Sequence, residues 1–153
     1  LVVFSADCIP VLFYDPVRRV IAAVHAGWRG TAAGIATAAV QRMETVYGCD
    51  RGDILAAIGP GIGPDCFETH EDVPNAMTAA LSTAVLQHIK IKENGKFAVD
   101  LKAINAMRLE QAGLDPARIA VCGFCTACQP DRFWSHRKLG TSRGSMAAVI
   151  QLL

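Results

Sequence analysis

Three short apolar runs, residues 1–4, 10–14 and 19–24, follow one another with gaps too short to hold a helix. A parallel neighbour requires a long crossover, whereas an antiparallel one requires only a tight turn. Asp15-Pro16 supplies such a turn, so the second and third runs read as a hairpin. An opening of this kind fits a mixed β-sheet covered by helices better than a doubly wound parallel sheet, and the expected class is α+β.

The rest of the chain supplies the cover. Ala36, Ala39, Val40, Met43 and Val46 recur at helical spacing, which predicts one amphipathic helix over residues 31–47 with Gly48 as its C-cap. Residues 53–58 read as a buried strand that runs into Gly59-Pro60-Gly61-Ile62-Gly63-Pro64. No regular element accommodates that string, so it is a loop, and it delivers Cys66 to a defined place. Val73, Met77, Ala80, Leu81 and Ala84 mark a second helix that tolerates Pro74 in its first turn. Asp100 caps a third helix that ends near Gly113. Residues 119–123 and 147–152 read as late strands.

Composition narrows the function. With 153 residues, the chain suits a single domain with its own core. Hydrophobic residues make up 52% and the mean hydropathy is +0.29, yet Arg, Asp or Pro interrupts every apolar run before membrane-spanning length. The net charge is +1 and the basic residues are dispersed, which argues against nucleic acid and for a small-molecule substrate. Six cysteines without a recognisable secretory leader read as reduced thiols in a cytoplasmic protein. The opening Leu1-Val2-Val3-Phe4 reads as mid-strand, so the expected organisation is one domain over residues 1–153 that lacks its N-terminal part.

Several residues have chemical potential. Residues 20–24 lead into His25-Ala26-Gly27-Trp28-Arg29-Gly30-Thr31 and then a helix, an arrangement that suits an anion through Arg29 and the helix start. The same string also reads as a tight strand-to-helix turn plugged by Trp28. Cys8 and His25 end neighbouring strands, and sulfur with imidazole suits zinc. Either could equally be an ordinary core residue. Cys122, Cys125 and Cys128 have metal-binding spacing but no fourth cysteine follows. His136 and Arg137 could face a substrate, His70 could pair with Cys66, and His88 reads as a surface residue.

Together, Ala6-Asp7-Cys8, His25-Ala26-Gly27-Trp28-Arg29-Gly30, residues 59–68, Cys125-Thr126 and Phe133-Trp134-Ser135-His136-Arg137 resemble the YfiH-like laccase-domain family. The resemblance spans nearly the whole chain and implies the YfiH-like fold. It also implies zinc held by Cys8, His25 and a histidine upstream of Leu1. The implied activity is phosphorolysis of purine nucleosides, with adenosine deamination and methylthioadenosine cleavage; the partners are the nucleoside and phosphate. On that reading Asp7, Arg29, Cys66 and His136 are the candidate catalytic residues. Two departures stand out: Asp65 precedes Cys66 where the family often has a second cysteine, and Trp134 stands where Phe is usual. Three rival readings remain at this point, one of them a non-enzymatic metal-storing or interaction module. A copper polyphenol oxidase would need more imidazoles than His25, His70, His88 and His136 provide. A Cys–His hydrolase would use Cys66 or Cys8 as a metal-free thiolate.

Overall fold

A computed structural model describes residues 1–153. Strands β2 (Ile9–Asp15) and β3 (Val20–Ala26) form the expected hairpin. Its turn is held by Asp15, whose Oδ1 accepts from the Val17 and Arg18 amides at 2.8 and 2.9 Å. On β2 the alternate residues Ile9, Val11 and Phe13 are fully buried, the period-two pattern of a strand with one face on a core. Strand β4 (Leu55–Ile58) pairs antiparallel with β2, and β8 (Ile119–Val121) pairs parallel with β4. The central sheet is therefore mixed, in the order β3-β2-β4-β8.

Strand β1 (Val2–Ser5) does not join that sheet; it pairs with β9 (Met146–Val149) in a separate two-stranded ribbon. A third sheet joins β5 (Glu68–Thr69), β7 (Phe97–Val99) and β6 (Ile89–Ile91). The α+β expectation holds, with the sheet divided in three.

The helix expected over residues 31–47 is two helices. Helix α1 (Trp28–Ala32) stops at Ala33, and α2 (Ile35–Tyr47) starts after Gly34, whose φ of +75° interrupts the helical path. A Cβ at Gly34 would lie 2.8 Å from Arg108 Nη2, so the end of that arginine would have to shift to admit one. Gly48 ends α2 in the left-handed conformation, as expected of a C-cap. Helix α3 (Asp72–Leu81) carries Pro74 in its first turn, but Ala84 falls in a following 3-10 turn rather than in the helix. Helix α4 (Leu101–Gln111) is capped by Asp100, whose side chain accepts from the Lys102 and Ala103 amides. Ala36, Val40 and Met43 of α2, Val73 and Met77 of α3, and Leu101, Ile104 and Leu109 of α4 meet β2 and β4 in one core. No helix is long and apolar enough to cross a membrane.

Candidate active site

Residues 6–8 form a bend between β1 and β2, and Ile9 pairs with Ala26, so Cys8 arrives opposite the end of β3. A Cβ built on Gly27 would lie 3.0 Å from Cys8 Sγ and 3.7 Å from His25 Nε2. The sulfur and the imidazole therefore face one small space that only a glycine at position 27 leaves open. His25 Nδ1 is 2.9 Å from the Phe4 carbonyl, a contact in which the ring donates and Nε2 keeps its lone pair for a ligand. A thiol beside an imidazole oriented through its other nitrogen is a donor pair whose chemistry fits a metal such as zinc.

A cavity of about 270 Å³ opens beside Cys8. Trp28 and Phe67 give it aromatic walls, and His136, Arg137 and Arg143 give it polar ones. Helix α5 (His136–Leu139) places His136 and Arg137 there; Ser135 caps it by accepting from the Lys138 amide. Trp28 is thus a wall of the cavity as well as a partner of the core. Arg29 takes a different position. Its guanidinium stacks 4.1 Å over the Trp28 ring on an exposed face, and Arg137 and Arg143 are the cations that line the cavity.

Asp7 also borders the cavity, but its carboxylate is committed elsewhere. It accepts from Thr126 Oγ1 at 2.6 Å, Ser135 Oγ at 3.1 Å and the Arg137 amide at 2.7 Å. Thr126 and Ser135 are fully buried and Asp7 is 8% exposed. The acid holds together the bend, the Cys125-Thr126 turn and the start of α5. Its φ of +81° is in the left-handed region, where Asp is tolerated better than most residues.

Arg143 Nε approaches His136 Nδ1 at 3.4 Å, a weak contact in which that nitrogen accepts. Arg143 Nη1 donates to the Gly144 carbonyl and to Ser145 Oγ. Burial, followed by the Asp7 carboxylate, pushes the Cys8 thiol above its usual range; the nearby Arg143 charge opposes this.

Cys66 lies among sulfurs rather than beside an imidazole. Its Sγ is 3.4 Å from Cys128 Sγ, and the sulfurs of Cys66, Cys125 and Cys128 all lie within 4.8 Å of one another. Burial, then hydrogen bonding with Cys128 and Cys125, pushes the Cys66 thiol up to about 12. That is the opposite of an activated nucleophile. His70, its expected partner, is exposed, and no hydrogen bond joins the two. His88 corrects the surface reading, because it is half-buried and its Nε2 is buried without a partner. Among groups of three or more His, Cys, Asp or Glu side chains near enough to share a metal, the cysteine trio is the only one, so the four histidines do not converge.

Two elements of this site were missed in the sequence. Arg143 was hidden in a polar loop rich in Arg, Ser and Gly, and the spacing of Cys122, Cys125 and Cys128 gave no hint that Cys66 replaces Cys122 in the cluster.

The fold and these side chains define a mixed-sheet α+β domain that presents a thiol and an imidazole beside an arginine-lined cavity. The chain belongs to the family described as multi-copper polyphenol oxidoreductase laccase, whose model matches residues 1–153. It is 36% identical over 152 residues to a purine nucleoside phosphorylase of Bacteroides thetaiotaomicron, covering 99% of this chain and 56% of that protein. It is 34% identical to human purine nucleoside phosphorylase LACC1, covering 97% of this chain and 34% of that one. A protein named adenosine deaminase RL5, from an unknown prokaryotic organism, is 37% identical over 92% of this chain and 53% of its own length. Among solved structures, Bacillus licheniformis hypothetical protein YfiH superposes with a TM-score of 0.92 at 35% identity, covering 96% of this chain and 55% of that chain. The chain spans about half the length of these bacterial relatives and about a third of the human one. The family and fold expected from the motifs are the ones found.

Proposed function

We propose that this chain carries the Cys8–His25 part of the active site of a zinc-dependent purine nucleoside phosphorylase that also deaminates adenosine and cleaves methylthioadenosine. The observation that carries the reading is the convergence of Cys8 Sγ and His25 Nε2 across Gly27 at the edge of the aromatic and arginine-lined cavity. The names of the relatives supply the substrate class. Cys8 and His25 would hold the zinc, which supplies Lewis acidity when bound.

The chain's own residues account for the rest of the phosphorolysis. Trp28 and Phe67 offer ring faces to a flat purine. Arg137 and Arg143 hold phosphate, a role that guanidinium groups suit through paired donors. A phosphate oxygen attacks the anomeric carbon, the bond to the purine nitrogen breaks, and its electron pair leaves with the base. With Nδ1 of His136 accepting from Arg143, Nε2 carries the hydrogen and can donate a hydrogen bond to the purine nitrogen on which charge develops as the base departs. Asp7 acts by positioning, since its carboxylate fixes the Arg137 backbone. Arg29 attracts the anionic substrate from outside the cavity. Cys66 supports Arg137, whose Nη1 donates to the Cys66 and Glu68 carbonyls at 3.0 Å each. Six unpaired cysteines suit a reducing compartment such as the cytoplasm.

The test is release of base from inosine and adenosine, with and without phosphate, alongside metal analysis of the chain and of a Cys8→Ala/His25→Ala variant. Phosphate-dependent release that disappears together with bound zinc in the variant supports the proposal. Turnover indifferent to both substitutions refutes it.

A further inference from the structure

The Cys66, Cys125 and Cys128 cluster is separate from the Cys8–His25 pair, and the proposed reaction makes no use of its sulfurs. Cys125-Thr126-Ala127-Cys128 is a tight turn in which the Cys128 amide donates to the Cys125 carbonyl at 3.3 Å. Cys66 reaches it from the far side of the glycine-rich loop. The Gly63 amide donates to Cys125 Sγ at 3.1 Å. Amides aimed at a sulfur are the surroundings of a metal-bound thiolate, because they offset the negative charge that several such sulfurs bring together. Glycine at position 63 eases this approach: a Cβ there would sit 3.1 Å from Cys125 Cβ and 3.3 Å from Cys125 Sγ, so Cys125 would have to give by a few tenths of an ångström.

The spacing suits a metal. Thiolates bound to one tetrahedral zinc at about 2.3 Å lie about 3.8 Å apart. Here the Cys66 and Cys128 sulfurs are 3.4 Å apart, with all three inside 4.8 Å, so small side-chain rotations would bring them to those positions. Cys128 is exposed, which leaves the fourth position open to water. Cys122 does not take part: its amide donates to the Ile58 carbonyl, continuing the sheet, and it lies outside the cluster.

We propose that Cys66, Cys125 and Cys128 form a second metal site, a three-thiolate tripod for a single thiophilic cation of the zinc class. Its effect is to clamp two loops. Cys66 follows the loop carrying Ile62, which lines the active-site cavity, and its carbonyl holds Arg137. A cation at the tripod therefore fixes one wall of that cavity from behind.

The test uses the full chain, purified under reducing conditions and stripped with chelator, then titrated with cobalt(II) and competed with zinc. Titration of the Cys8→Ala/His25→Ala variant isolates the tripod. The expected result is about one cobalt per chain, with the intense near-ultraviolet absorption of thiolate-to-cobalt charge transfer. On that background Cys66→Ser and Cys128→Ser should each weaken binding at least about tenfold, and Cys122→Ser should leave it unchanged. Cys128 is exposed, so Cys128→Ser decides the matter if Cys66→Ser misfolds. Absence of charge-transfer absorption, dependence on Cys122 instead of Cys66, or a Cys66–Cys128 disulfide in the reduced protein would overturn the proposal.

Discussion

Replacing Asp7 tests whether one buried acid organises the cavity. Its carboxylate receives two buried hydroxyls and one backbone amide. Hydrogen bonds to a charged group contribute about 1.5–3 kcal/mol each, though not additively. Thr126 and Ser135 are fully buried, so removing the carboxylate orphans two hydroxyls that have no other side-chain partner nearby. Asp7→Ala should therefore lose about 4–5 kcal/mol, while keeping, like the parent, a β-carbon strained at φ +81°. Asp7→Gly removes that strain and should be about 1 kcal/mol more stable than Asp7→Ala. Asp7→Asn keeps an acceptor for the Arg137 amide and tolerates the left-handed backbone, so it should lose only about 1–2 kcal/mol. Urea unfolding measures all three, and pairing Asp7→Asn with Thr126→Val should show a coupling of at least about 0.5 kcal/mol. If Asp7→Ala unfolds within about 1 kcal/mol of the parent, or if Gly is no better than Ala, then the acid is not the tie described here.

Other consequences are directly measurable. Gly27→Ala places a methyl group 3.0 Å from Cys8 Sγ and 3.7 Å from His25 Nε2, on a φ/ψ pair of −68° and 173° that alanine adopts freely. Zinc affinity measured by chelator competition should fall about 10- to 100-fold while the thermal midpoint moves little. Lys102 is buried and its ammonium donates to the Cys122 and Phe124 carbonyls at 2.9 Å each, so Lys102→Met should cost about 2–3 kcal/mol in urea. Burial, then the adjacent Asp15, pushes the Cys49 thiol from an ordinary 9.0 up to about 11. The folded state thus holds this proton more tightly than the unfolded chain. The associated stability is fully present below pH 9 and is lost as pH rises to about 11; in Cys49→Ala that part of the decline should disappear.

The sequence showed the hairpin because Asp15-Pro16 punctuates two apolar runs, and it showed α4 because Asp100 is a strong cap. It did not show the break at Gly34: the apolar period continues across Ala33 and Gly34, and the helix stops for a backbone angle and a close Arg108. Cys8 and His25 were read as a pair on neighbouring strands; they do meet, but because Cys8 immediately precedes β2, which pairs with β3, while β1 pairs with β9. The cysteine trio was not legible, because Cys66 lies 62 residues from Cys128 and is brought to it by the glycine-rich loop and the β4–β8 pairing. Arg143 was not legible for a similar reason. Only the closing strand β9, paired with β1, carries the segment before it back over the cavity.

The glycine-rich loop joins the two sulfur sites mechanically. Its Ile62 amide donates to the Asp7 carbonyl at 2.8 Å, beside Cys8, and a Cβ on Gly61 would lie 2.9 Å from that same carbonyl oxygen. On its other side, Gly61 bridges to Cys125 and its carbonyl accepts from the Thr126 amide at 3.1 Å. Thr126 then returns to Asp7 through its hydroxyl. The bend, loop and turn therefore form a closed ring of hydrogen bonds, with Cys8 on one arc and Cys125 on another. A ring of short, buried links does not accommodate displacement at one point without strain at the others. The three-thiolate tripod and the Cys8–His25 pair should accordingly respond to each other's occupancy. By linkage, any gain in affinity that a cation at the tripod confers on the Cys8–His25 site must be returned in equal measure.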